Sequence, residues 1–79
     1  MDTLRFVAER GGERFEIVEG SGEGFYVFRY LDGQSTHDYL QDDAPAARLC
    51  AEEVWGISPA AWREAVPGEL PLWQQRSRV

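Results

Sequence analysis

Residues 25–40 read Phe-Tyr-Val-Phe-Arg-Tyr-Leu-Asp-Gly-Gln-Ser-Thr-His-Asp-Tyr-Leu, two strand-like runs on either side of Asp32-Gly33. A two-residue Asp-Gly loop favours the type I′ turn, whose twist matches a right-twisted hairpin. Both central residues then need positive φ, which Gly accepts freely and Asp tolerates. Pairing outward sets Leu31 opposite Gln34, Tyr30 opposite Ser35, Arg29 opposite Thr36, Phe28 opposite His37, Val27 opposite Asp38 and Tyr26 opposite Tyr39. Successive side chains alternate between faces. One face therefore carries Tyr26, Phe28, Tyr30, His37 and Tyr39. The other carries Phe25, Val27, Arg29, Leu31, Thr36, Asp38 and Leu40. Neither is polar throughout, which is unusual for a sheet wetted on one side.

Upstream, Leu4 to Arg10 and Glu13 to Glu19 flank Gly11-Gly12 in the same manner. Outward pairing gives Arg10 with Glu13, Glu9 with Arg14, Ala8 with Phe15, Val7 with Glu16 and Phe6 with Ile17. Leu4, Phe6, Ala8, Phe15 and Ile17 then share an apolar face. Gly20-Ser-Gly-Glu-Gly24 links the two hairpins. It lacks the Lys-Ser or Lys-Thr ending, and the following helix, that a phosphate-cradling loop requires.

After the sheet, Asp42-Asp43 supplies a helix N-cap and Pro45 lies in the first turn, where a missing N–H costs nothing. The helix runs to about Trp55, with Gly56 at the left-handed position after it and Ile57 folding back. Ala46, Ala47, Cys50, Ala51 and Val54 form its apolar stripe. Ser58-Pro59 repeats the cap-and-proline signal and predicts a short second helix through Trp62, stopped by Pro67-Gly68. Residues 69–73 are expected to be extended. The predicted fold is α+β: a four-stranded antiparallel meander (β-β-β-β-α), one main helix on one face, a short second helix and a tail. A single domain is expected over 1–73, with 74–79 disordered. The stripe of small residues suits the large rings of Tyr26, Phe28, Tyr30 and Tyr39, so the helix is expected on that face.

Seventy-nine residues is near the lower limit for a self-sufficient core. Hydrophobic residues make up 43%, too many for a disordered chain. The net charge is −6 and the eight cations, all Arg, are dispersed, which disfavours a nucleic-acid partner. The absence of Lys and Asn reads as high genomic GC content. One Cys excludes an internal disulfide and a Cys-based zinc site. No basic-then-apolar leader is present, and no apolar run approaches the ~18 residues of a membrane span. A cytoplasmic location with no membrane contact is the expectation.

Candidate chemistry is sparse. His37 is the only His, has no second His or Cys nearby, and alternation points Asp38 to the opposite face. Asp42 and Asp43 are accounted for by capping and the helix dipole, and Glu52 and Glu53 by a solvated helix face. Cys50 in the apolar stripe is expected to be buried and inert. No catalytic residue, metal site or cofactor is expected, because nothing pairs a nucleophile with a base.

Phe25-Tyr-Val-Phe-Arg-Tyr-Leu-Asp-Gly33, His37-Asp38, the Ala-rich helix and Trp55-Gly-Ile-Ser-Pro-Ala-Ala-Trp-Arg-Glu64 together resemble a group of small bacterial proteins of unknown function. These share a strand ending in an Arg-Tyr-Asp-like turn, a second strand, and a helix closed by Gly-(Ile/Val)-x-x-x-x-Trp. The likeness covers about half of the chain and implies no activity. More loosely, strands followed by a helix resemble HicB-like antitoxins, which neutralise a small toxic ribonuclease and often carry a DNA-binding element; none is recognisable in these residues.

Together these observations predict a small acidic, non-enzymatic module that binds another protein, or itself as a homodimer, through the outer face or an edge of its sheet. With the helix on the aromatic face, Phe25, Val27, Arg29 and Leu31 form the outer strip, and Trp73 is the best surface anchor near the end of the chain. An antitoxin- or immunity-type inhibitor of a basic protein is the alternative.

Overall fold

The computed structural model describes residues 2–76, the last by its backbone alone. Four antiparallel strands follow one another as a meander: β1 (Thr3–Arg10), β2 (Glu13–Gly20), β3 (Gly24–Leu31) and β4 (Gln34–Gln41). Helix α1 (Ala44–Trp55), a 3₁₀ turn (Pro59–Ala61), a two-residue strand β5 (Arg63–Glu64) and a short helix α2 (Leu72–Arg76) complete the α+β fold. The strand order is β4-β3-β2-β1-β5, so β2 lies at the centre and β4 and β5 form the edges.

The turn chemistry holds at Asp32-Gly33 but not at Gly11-Gly12, where Gly11 alone is left-handed (φ 60°) and the loop is not type I′. Asp32 and Gly33 have φ of 50° and 84°, the double left-handed pattern of a type I′ turn. The first hairpin pairs as read from Arg10–Glu13 to Phe6–Ile17, and then a bulge at Arg5 brings Leu4 opposite Val18. Leu4 therefore packs with Val7 and Val18, not with Phe6. In the second hairpin Leu31–Gln34 and Tyr30–Ser35 pair as expected, but Arg29 meets His37. Thr36 is the extra residue. Its hydroxyl donates to the Arg29 carbonyl (3.2 Å) and accepts from the Arg29 guanidinium (2.8 Å), which satisfies the polar groups that a bulge leaves behind.

That one-residue slip exchanges the faces of β4. Val27 pairs with Tyr39 and Tyr26 with Leu40, placing His37 and Tyr39 beside Val27 while Asp38 and Leu40 join the aromatic face. Helix α1 covers the Val27 side, contrary to the expectation from its small residues. Ala47 and Ala51 lie fully buried there with Phe15, Ile17 and Val27, and Phe6, Phe25, Trp55 and Trp62 ring this core. The physical reason is close approach: an Ala stripe can seat a helix directly on a face already filled by Phe15 and Ile17. The row of Tyr26, Phe28 and Tyr30, with ring centroids 5.8 and 6.2 Å apart, is covered instead by the chain after β5. Trp73 of that segment lies 4.9 Å from Phe28.

Asp43 caps α1 by accepting from the Ala46 amide (2.8 Å). Gly56 closes it at φ 71°, with Ile57 donating to the Ala51 carbonyl and buried at 3% exposure. The second helix expected after Ser58 is only the 3₁₀ turn, because Trp62 is extended and leads into β5. The segment expected to be extended and frayed is helical over Leu72–Arg76; the rest of the expected tail, 77–79, lies outside the described residues.

Candidate functional site: the open edge of the sheet

With α1 on one face and the C-terminal segment on the other, the sheet keeps one uncovered element. β4 is paired with β3 alone, and every residue from Gln34 to Leu40 is exposed. Its outer row of backbone N–H and C=O groups faces solvent over eight residues. Such an edge is a ready template for another strand, and proteins commonly protect it with Lys, Pro, a bulge or a covering segment. Here the protection is partial: the Thr36 bulge and Asp38. The opposite edge is covered only at its middle, where the two-residue β5 pairs with β1 at Phe6–Glu64 and Val7–Arg63 and the Ala65 amide donates to the Arg5 carbonyl (2.9 Å).

On the α1 side, β4 is flanked by an aromatic clasp. Trp55, the last residue of α1, has its ring 5.7 Å from Tyr39, 6.1 Å from His37 and 5.4 Å from Phe15. The Trp55 carbonyl, free at the helix end, accepts from Arg10 (2.9 Å). Arg10 and Arg29 both donate to the Glu13 carboxylate, at 2.9 and 2.7 Å, and these bonds hold its pKa below the usual carboxylate range. Arg29 continues to Thr36, whose hydroxyl meets His37 Nδ1 (3.1 Å). One polar row thus crosses from β1 to β4 and orients the His37 end of the edge. On the other side, Leu40 is 52% exposed beside Asp38.

The charges sort in an uneven way. Among the described residues every ion pair joins an Arg to a Glu. Asp32, Asp38, Asp42 and Asp43, on β4 or at its two ends, belong to none, and neither do Asp2, Glu23, Glu52, Glu53 and Glu64 elsewhere.

A second polar cluster lies under the C-terminal segment. Glu16 is completely buried, accepting from Arg14 Nε (2.8 Å) and from the Leu72 amide (3.1 Å). Arg63 grips Glu69 with a two-nitrogen fork (2.9 and 2.8 Å), and Arg14 reaches Glu69 at 3.6 Å. Burial raises the pKa of Glu16, and the Arg63 fork lowers that of Glu69 to about 2. These groups fasten the chain over the sheet.

The strip expected at Phe25, Val27, Arg29 and Leu31 is not an outer surface. Val27 is fully buried under α1, Phe25 packs on the same core, and Arg29 is half-buried against Glu13. Only Leu31, 42% exposed next to the turn, is open. Trp73 packs on Phe28 across the sheet from them. Cys50 is half-buried, not buried, and its thiol is pushed up by burial and then by Glu53. Trp55 is one of three Trp that could anchor a partner, and the sequence favours Trp73 over it; Glu16 went unrecognised in the sequence. A Trp immediately before a helix-ending Gly was a usable signal for the first. For Glu16, set in Phe-Glu-Ile-Val, no local signal exists.

Among the described residues no group of three or more His, Cys, Asp or Glu could hold a metal ion, and no helix is long and apolar enough to cross a membrane. Comparison with protein-family models, curated proteins and solved structures finds no match to this chain.

Proposed function

We propose that this chain is a cytoplasmic, non-enzymatic protein-binding module that takes up an extended segment along β4. The observation that carries the proposal is the asymmetry of the two edges. One is covered at its middle by β5 and the segment after it, while the other runs for eight residues paired on one side only. Strand addition of this kind draws affinity from main-chain hydrogen bonds and selectivity from alternate side chains. Trp55, Tyr39 and His37 offer a contact on one side of an added strand; Leu40 and Asp38 offer one on the other.

The competing surface is the cleft of about 310 Å³ between the start of β1 and the turn after β5, lined by Thr3, Arg5, Val66 and Glu69 among others. Arg5 is engaged there by Glu19 (2.6 Å) and Glu69 by Arg63. Peptides selected from a random display library, titrated into isotope-labelled protein, should shift the amides of β4 and protect its outward ones from exchange. Convergence on peptides that move only the cleft residues would overturn the proposal.

A further inference from the structure

We propose that the occupant of the β4 edge is an extended, cationic segment of another protein, with basic side chains along Asp38 and Asp42 and apolar ones against Tyr39 and Trp55. This rests on strand addition at β4, where the backbone supplies the binding and the side chains select the occupant.

The selection follows from charge placement. The arginines whose side chains are described are committed elsewhere: five are ion-paired to glutamates, and Arg48 lies over the Phe6 ring. None offsets Asp32, Asp38, Asp42 or Asp43. Asp38 shares the Leu40 side of β4, and Asp42 follows immediately beyond the strand's last residue, Gln41. Directly paired residues of neighbouring strands share a face. A segment alternating basic and apolar residues therefore sets its cations along the Asp38 side. Its other residues fall on the side of Tyr39 and the Trp55 ring, which lie 5.7 Å apart. The exposed Leu40 can underlie an arginine stem.

A second copy of this chain fits poorly. It carries the same net −6, and antiparallel two-fold pairing centred on Asp38 would oppose two carboxylates about 5 Å apart. The acids that discourage self-pairing are the ones that favour a basic strand.

The test is a titration of the full chain, followed by amide chemical shifts, with blocked octapeptides alternating Arg-Val, Thr-Val or Glu-Val, and with spermine as a cation lacking a peptide backbone. The Arg-Val peptide should bind at β4 about tenfold more tightly than Thr-Val at low salt, given a few tenths to one kcal/mol for each exposed ion pair. That advantage should shrink as salt shortens the screening length. Asp38→Asn should weaken Arg-Val about threefold and leave Thr-Val unchanged. Equal binding of Thr-Val or Glu-Val, or self-association through β4, would overturn the cationic occupant and leave strand addition standing. Spermine shifting β4 as strongly as Arg-Val, or no peptide shifting it, would overturn both.

Discussion

Replacing Glu16 by Leu should detach the C-terminal segment from the sheet. The carboxylate is wholly buried and accepts two bonds, from Arg14 Nε at 2.8 Å and from the Leu72 amide at 3.1 Å. Leucine fills a similar volume but accepts neither. A hydrogen bond involving a charged group is worth about 1.5–3 kcal/mol, and a buried donor left unpaired costs about 1–3. Loss of a buried ionic partner runs to about 3–5 kcal/mol. The lower end applies, because the Arg14 side chain keeps 19% exposure and has Glu69 at 3.6 Å. The desolvation that raises the Glu16 pKa is also relieved. The net expectation is about 3 kcal/mol. At about 4–8 °C per kcal/mol for a domain of this size, the melting midpoint should fall by about 12–24 °C. Urea unfolding followed by circular dichroism would measure it. Glu16→Gln keeps an acceptor for the Leu72 amide and should cost about 1 kcal/mol, and Arg14→Leu with Glu16→Leu should recover much of the loss. A Glu16→Leu protein melting within about 3 °C of the parent, under 1 kcal/mol, would refute the view that this carboxylate fastens the segment.

Gly24→Ala should destabilise by about 3 kcal/mol in the same urea assay, since φ is 121° there and an added Cβ would collide with the Gln41 carbonyl oxygen. Cys50 should react slowly with a thiol reagent in native buffer and promptly in denaturant, because half-burial and Glu53 hold the thiol protonated. Folding holds the Glu69 carboxyl at about 2, below its ordinary 4.5, so its contribution is full above about pH 4.5 and is lost as pH falls towards 2. Glu69→Gln should therefore flatten the acid limb of a stability–pH curve measured by thermal melting.

The hairpins were legible because their turns are local. Asp32-Gly33 fixes a turn by backbone geometry alone, and the Asp43 and Gly56 caps bound α1 by hydrogen bonds within a few residues. The bulge at Thr36 was not legible. Nothing in Gln-Ser-Thr-His announces an extra residue, yet the slip moves His37, Asp38, Tyr39 and Leu40 to opposite faces. The C-terminal segment was misread for a similar reason, as the Leu72 amide finds its acceptor in Glu16, 56 residues earlier. The binding strip placed at Val27 failed with the face assignment. The open edge needed the strand order, and β5 reaches the β1 side through a register that two residues of sequence do not encode.

The central claim is that β4 has one bonded side and one open side. Residue-resolved amide exchange on dilute free protein tests it directly. Protection should alternate along Gln34–Gln41, strong for amides bonded to β3 and weak for those facing outward, with a break at Thr36. Uniform strong protection along β4 would contradict the claim, because it would mean that the outer edge is already occupied.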